Sequence, residues 1–223
     1  MYRFKSFYTA VSAFASLGLA DDLKVGLISD LHLHLRYDPQ WSPYSHAEGG
    51  CMHNDGVLAT EKAPMGRYLC DSPEILISTM LRALKEQHED SDVIFVTGDY
   101  IAHQTAKAYP NEDKRLYAML LSTHARISSL LAEAFPDTLI LPVFGNNDQE
   151  YHDNPIPDAD ADFFYNFMYD LWFKLMPGNA SNLSELQKTA IYLTFRNGGY
   201  YRVDLTDKIS FLAMNTMYYD SAE

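Results

Sequence analysis

The sequence predicts an α/β fold, and three observations predict it. Short apolar runs at residues 24–29, 93–97 and 139–144 alternate with longer stretches of helical periodicity. The order strand–helix–strand–helix–strand implies a sheet that is parallel in its first part. Each apolar run also stops abruptly at polar ligand-type residues: Asp30-Leu31-His32, Gly98-Asp99 and Gly145-Asn146-Asn147-Asp148. In parallel α/β sheets ligands bind at the carboxyl ends of the strands. Asp30, His32, Asp99 and Asn146 are therefore expected along one sheet edge.

The elements follow in order. Residues 1–20 read as a secretory signal: Arg3 and Lys5 are basic, Phe7 to Leu19 is apolar, and Leu17-Gly18-Leu19-Ala20 suits cleavage before Asp21. A single catalytic domain is then expected over 21–223. No later apolar run approaches the ~18–20 residues needed to cross a bilayer. The run 24–29 has the pattern of a strand buried on both faces. Residues 36–69, rich in Pro, Gly, Ser, His and Asn, form a long loop of the kind that is usually functional or pinned. A helix starts at Asp71-Ser72-Pro73-Glu74, with Ser72 as its cap and Ile75, Leu76, Met80, Leu81 and Leu84 as its apolar set. The strand 93–97 follows, then an amphipathic helix over 114–134, then the strand 139–144. Residues 161–175 form an aromatic-rich helix, read as core, with membrane contact as the alternative. The helix 161–175 and the loop 36–69 are expected to line the entrance to the site. Two strands, 200–205 and 209–214, close around a Thr206-Asp207-Lys208 turn.

Composition bounds function. With 47% hydrophobic and 13% aromatic residues the chain has ample material for a core. A formal charge of −13 argues against nucleic-acid binding, because no basic surface is available to neutralise phosphates. It leaves open a phosphate-ester substrate if metal ions supply the positive charge. Cys51 and Cys70 are the two cysteines, and in a secreted chain an even count favours a disulfide worth ~3 kcal/mol, against two buried free thiols. Asn179-Ala180-Ser181 and Asn182-Leu183-Ser184 are glycosylation sequons.

Taken singly, an Asp after a strand is more often a turn or cap residue, and Gly-Asp and Gly-Asn are common turn dipeptides. Together at one edge, Asp, His and Asn suit a divalent ion such as zinc, manganese or iron. Two such ions ~3.5–4 Å apart activate water and clamp a phosphoryl group. A carboxylate bridging them needs a central strand, and Asp99 is the natural candidate.

Asp30-Leu31-His32, Gly98-Asp99 and Gly145-Asn146 resemble, in order, the first three motifs of the calcineurin-like metallophosphoesterases. More narrowly the chain resembles the acid sphingomyelinase-like phosphodiesterase group. That likeness rests on Gly66-Arg67-Tyr68-Leu69-Cys70-Asp71-Ser72-Pro73, on His103 four places after Asp99, and on Met214-Asn215-Thr216-Met217-Tyr218-Tyr219. The resemblance spans residues 25–219 and implies a layered sheet sandwich flanked by helices. It implies that Asp30 and His32 bind a first metal, that Asp99 bridges and that Asn146 binds a second. The ions would be zinc, with manganese or iron as alternatives. It places His103 beside the scissile phosphate, orienting it or protonating the leaving group, and pairs Cys51 with Cys70. It assigns His34 nothing. The implied reaction is attack of a metal-activated water on a phosphodiester, a polyphosphate or a phospholipid headgroup, in a secreted protein or one of the lysosomal or vacuolar lumen.

Two departures from the family pattern matter. The family usually carries His where this chain has Asn147, and an amide hydrogen-bonds a phosphate oxygen without donating a proton as imidazolium does. The Gly-Asn-Asn-Asp form resembles the endopolyphosphatases, whose substrate is linear polyphosphate. The family's remaining histidines, in Gly-His and His-x-His motifs, are also absent up to Glu223. The expectation is a fragment of a longer phosphodiesterase. The alternatives are an endopolyphosphatase and an inactive relative that acts as a binding protein.

Overall fold

The computed structural model describes residues 22–43, 51–52, 56–103, 105, 113–149 and 152–219. The expected signal segment lies outside the described residues. Three strands, β1 (Val25–Ile28), β4 (Val93–Val96) and β5 (Leu139–Pro142), form a parallel sheet in the order β1-β4-β5. The register pairs Ile28 with Val96 and Val96 with Pro142, so the three carboxyl ends are level. Two short strands, β2 (Trp41–Ser42) and β3 (Val57–Leu58), form a separate antiparallel pair inside the long loop.

Between β1 and β4 runs α1 (Glu74–Gln87), and between β4 and β5 runs α2 (Asp113–Ala134). The two helices pack side by side, and Arg126 on α2 grips both carboxylate oxygens of Glu74 on α1. That fork holds the Glu74 carboxyl below its ordinary value. After β5 come α3 (Asp158–Tyr169), a π-helical segment (Asp170–Leu175), α4 (Pro177–Asn182) and α5 (Glu185–Phe195). The hairpin β6 (Tyr201–Asp204) and β7 (Ser210–Ala213) leads to a 3-10 turn, Thr216–Tyr219. This is the mixed α/β architecture the sequence implies.

The core is aromatic. Phe144 at the end of β5 packs 4.7 Å, ring to ring, from Trp172 and 5.4 Å from Phe164, and Phe195 of α5 closes the cluster. The segment 161–175 is therefore core: Phe164, Tyr165, Met168, Trp172 and Phe173 are buried there, although Phe163 stays exposed. No described helix is long and apolar enough to cross a membrane.

Four expectations need correction. The first strand is not buried on both faces, since Leu27 is 66% exposed and Val25 is 46% exposed. Leu27 shares a face with its partner Phe95, and Phe95 meets Phe211 of β7, 4.5 Å away. The β6–β7 hairpin thus covers β4, while nothing among the described residues covers β1 on that face. Second, Ser72 is not the cap of α1; Pro73 holds the cap position and no side chain caps the helix. The Ser72 backbone is used elsewhere, donating to the His32 carbonyl and accepting from the His34 nitrogen. Third, α1 buries Ile77 and Leu81 and leaves Ile75, Leu76 and Met80 exposed.

Fourth, Asn179 is fully buried and cannot carry a glycan in this packing. Its Oδ1 accepts from the Ile140 nitrogen and its Nδ2 donates to the carbonyls of Ile140 and Trp172. The amide completes the outer edge of β5 as a neighbouring strand would. Asn182 of the second sequon is exposed, with its amide on the carbonyls of Asp137 and Gly178.

Candidate metal centre

The segments that carry Asp30, His32 and Asp99 continue the sheet beyond its strands. The Asp30 nitrogen donates to the Gly98 carbonyl, and the His32 nitrogen donates to the Asp99 carbonyl. Leu33 then bridges Ser72 on one side and Ile101 on the other. Asp30, His32 and Asp99 reach this edge in the left-handed region, with φ of 56°, 42° and 57°. That conformation costs non-glycine residues of order 1–3 kcal/mol each and gathers at functional sites.

His32 Nδ1 lies 2.9 Å from the Ile101 carbonyl oxygen. Nδ1 therefore carries the hydrogen and Nε2 the lone pair. Nε2 is 3.7 Å from an Asp30 oxygen and 3.6 Å from an Asp99 oxygen. The ligand atoms of Asp30, His32 and Asp99 all lie within 4.8 Å of one another. His103 stacks on His32 with ring centroids 4.1 Å apart and planes 21° apart.

Asn146 is oriented by two residues that carry no motif signal in the sequence, His152 and Asp153. Its Nδ2 donates to Asp153 Oδ1 and to His152 Nε2, each at 2.9 Å, and His152 Nδ1 meets the other Asp153 oxygen at 2.7 Å. That leaves the Asn146 oxygen as the atom able to serve as a ligand. Asn147 does not face the cleft. It is buried, with its backbone nitrogen 3.0 Å from Asp99 Oδ1 and its Nδ2 3.3 Å from Asp99 Oδ2.

The loops after β4 and β5 are joined by Asp148, the last residue of the Gly-Asn-Asn-Asp string. Its Oδ2 accepts from the nitrogens of Asp99 (2.8 Å) and Gly145 (2.6 Å), and its Oδ1 from those of Tyr100 (2.6 Å) and Ile101 (3.3 Å). The residue is fully buried, and burial pushes its carboxyl up to about 7 against the downward pull of the nitrogens of Gly145, Tyr100 and Asp99. The Asp148 carbonyl accepts in turn from Nε2 of His124 on α2, at 2.9 Å. His124 sits among the rings of Tyr100, Phe144, Phe164 and Trp172, and burial lowers it to about 4, so it is neutral. A faint signal existed: Leu120, His124, Ile127 and Leu131 share one helical stripe.

The edge opens into a cavity of about 520 Å3 lined by Asp30, Asp99, Asn146, Asp153, Thr216 and Tyr219, among others. Among the described residues, neither the loop 36–69 nor the helix 161–175 lines it, contrary to expectation. The Met214–Tyr219 stretch lies at the cleft through Thr216, Met217 and Tyr219. Cys51 and Cys70 form a disulfide, as expected.

A family model described as calcineurin-like phosphoesterase matches residues 23–220. The chain belongs to the calcineurin-like phosphoesterase family. Among the chain's relatives, the mouse acid sphingomyelinase-like phosphodiesterase 3b is 33% identical over 174 residues, 78% of this chain and 33% of the relative. An endopolyphosphatase of Schizosaccharomyces pombe is 28% identical over 202 residues, 86% of this chain and 32% of that protein. The cyclic GMP-AMP phosphodiesterase SMPDL3A of Bos taurus is 25% identical over 195 residues, 86% of this chain and 38% of the relative. The chain thus spans about a third of the length of the curated relatives it matches.

The family uses divalent metals, and the donor set fits them. A neutral imidazole with its hydrogen fixed on Nδ1, two carboxylates and an amide oxygen are all borderline-to-hard ligands. Asp30, His32 and Asp99 could hold one ion, and Asp99 with Asn146 could contribute to a second.

Proposed function

We propose that this chain builds the first metal site, and part of the second, of a metal-dependent phosphoric diester hydrolase of the acid sphingomyelinase-like group. The observation that carries the reading is the convergence of Asp30, His32 and Asp99 with His32 Nδ1 tied to the Ile101 carbonyl. When bound, two divalent ions, zinc or alternatively manganese or iron, would supply the positive charge that draws in a phosphodiester and activates water. Asp99 would be the carboxylate shared by the two sites, and Asn147 holds its two oxygens in place through a backbone and an amide N–H. Asn146 would offer its oxygen to the second ion, because His152 and Asp153 occupy its nitrogen. His103 stands over His32, where it orients the phosphate or protonates the departing oxygen. Asn147 thus acts on the bridging carboxylate in this reading, rather than on the phosphate.

The test is hydrolysis of bis-p-nitrophenyl phosphate with added zinc or manganese. Asp99→Asn and chelation should each abolish it. Turnover that survives both would sink the reading, and absence of hydrolysis together with absence of metal binding would leave an inactive relative that binds a partner. A second reading, an endopolyphosphatase, is favoured by the Gly145-Asn146-Asn147-Asp148 string. Cleavage of long-chain polyphosphate without cleavage of aryl or lipid phosphodiesters decides for it. The Cys51–Cys70 disulfide supports an oxidising compartment and hence a signal over residues 1–20, with secretion or a lysosomal or vacuolar lumen as destination. Asn182 is the better glycan acceptor of the two sequons, by exposure.

A further inference from the structure

We propose that two copies of this chain join through the uncovered face of β1 and the free edge of β7, each copy's β1 filling the vacancy beside the other's β7. None of the metal-edge residues takes part, so the joint is independent of the phosphodiesterase reading. The two sheet layers have unequal widths. The lower holds β1, β4 and β5, and the upper holds β6 and β7. The Tyr201 hydroxyl of β6 donates to the Pro142 carbonyl of β5, so β6 lies over β5. Phe211 of β7 meets Phe95 of β4, so β7 lies over β4. Among the described residues no third strand lies over β1.

The floor of the vacancy is apolar, because Val25 and Leu27 share the face of Phe95 and both are exposed. Its borders are strand edges. The Lys24 and Ile28 carbonyls accept from the nitrogens of Val93 and Thr97, on the β4 side. The alternate residues Val25 and Leu27 therefore turn their N–H and C=O groups outward. The Ser72 segment takes that outer edge only from His32 onward, past the end of β1. β7 pairs with β6 on one side, which leaves its far edge open above β1 among the described residues. Neither edge carries the usual protection against pairing, since Val25–Ile28 and Ser210–Ala213 contain no Pro and no charged residue.

A second copy suits this vacancy because the step between the layers is its own complement. Asp204 of β6 lines a cavity with Val93 and Leu139 at the amino ends of the sheet, and Asp204 pairs with Ser210. β7 therefore runs in the direction of β1. A two-fold axis parallel to the strands, passing between the layers above β1, carries each β1 to the open edge of the other copy's β7. Val25 and Leu27 then face their own counterparts at the ~10 Å spacing of stacked sheets. In each layer three strands of one copy are continued by two of the other. A two-fold that paired β1 with β1 would leave both vacancies empty. The joint is small, below the ~1,200 Å2 of a stable interface, and each copy carries a formal charge of −13. The expected dimer is weak, with a Kd on the order of 100 μM. Salt should strengthen it by screening the repulsion. Because the axis follows the strands, both Asp30–His32–Asp99 edges open on the same side of the dimer.

Sedimentation velocity of the full 223-residue chain reads the association. From about 5 to 500 μM the wild type should pass from monomer toward dimer, and about 0.5 M salt should tighten the dimer at least threefold. Leu27→Glu, at an exposed position, should keep the fold by circular dichroism and weaken the dimer at least about tenfold, because it places an unpaired charge in the joint. Leu186→Glu, at an 80% exposed leucine on α5, should leave the dimer unchanged. Symmetry is read with Leu27→Cys. Cys51 and Cys70 are paired with each other, so the new thiol is the one open to a bis-maleimide. Like meets like only across a two-fold, so Leu27→Cys should cross-link to itself at concentrations where Leu186→Cys does not. A chain that stays monomeric over the whole range overturns the proposal, and so does a dimer that Leu27→Glu leaves unchanged. The Leu27→Cys thiol of a monomer then tells which alternative holds. A thiol blocked to maleimide means that another segment of the same chain covers β1, and a reactive one means that the face stays open.

Discussion

Asp148 Oδ2 lies 2.8 Å from the backbone nitrogen of Asp99, and its Oδ1 lies 2.6 Å from that of Tyr100. One buried carboxylate from the loop after β5 thus fixes the backbone of Asp99 in the loop after β4. Removal of the side chain in Asp148→Ala strands several buried N–H groups, each worth ~1–3 kcal/mol when left unsatisfied. The expected loss is more than about 3 kcal/mol in urea unfolding. A loss below about 1 kcal/mol would mean that water or a shifted loop replaces the carboxylate.

The close approach of the two loops depends on glycine. Gly98 has a φ of 96°, and a Cβ there would collide with the Gly145 backbone, while a Cβ on Gly145 would collide with Asp99 Oδ1. Gly145→Ala should therefore push Asp99 off its position and weaken metal binding roughly 10–100-fold, the range seen when a ligand's support is lost. Titration calorimetry with zinc checks this, and an unchanged affinity would show that Asp99 does not need the close contact.

His124 predicts a pH dependence with a definite sign. Its folded pKa is depressed to about 4 from 6.5, so its contribution to stability is fully present above pH 6.5 and is lost as pH falls toward 4. The shift corresponds to about 3 kcal/mol. Asp148 works in the opposite direction, since its carboxyl is raised to about 7 from 3.8 and its effect favours folding at lower pH. The comparison of wild type with His124→Gln isolates the histidine. The variant should lose less stability between pH 7 and pH 5 than the wild type does, and parallel pH profiles would contradict the assignment.

The disulfide joins cysteines 19 residues apart and is expected to contribute ~3 kcal/mol by the chain-entropy model. For a domain of this size that is roughly 6–12 °C in Tm. Cys51→Ser with Cys70→Ser should lower Tm by that amount in a thermal scan. A Tm unchanged by the double substitution would mean that the β2–β3 loop is already ordered by its other contacts.

What the sequence makes legible here is the alternation of apolar runs and polar breaks. It places β1, β4 and β5 and sends Asp30, His32, Asp99 and Asn146 to one edge, because a buried parallel strand has to end where its apolar run ends. Asp148 stayed unread because its partners are backbone nitrogens, which leave no side-chain signature at any spacing. Asp71 and His103 are 32 residues apart and meet only through the ladder around Leu33. Ser72 has the composition of a cap, but its backbone is taken by that ladder. Asn179 carries a sequon, but it finishes the edge of β5, a tertiary role no local pattern encodes. The helix α5 has a local signal, since Ser184 and Gln187 form a capping box in the S-x-x-Q spacing.

Bound metal per chain tests the central claim most directly. The purified 223-residue protein, dialysed against zinc or manganese and measured by elemental analysis, should hold about one ion per chain at the Asp30–His32–Asp99 site. Asp99→Asn should release it, while the fold persists by circular dichroism. A chain that stays metal-free at millimolar zinc, or one whose metal content is the same with Asn at position 99, would contradict the account.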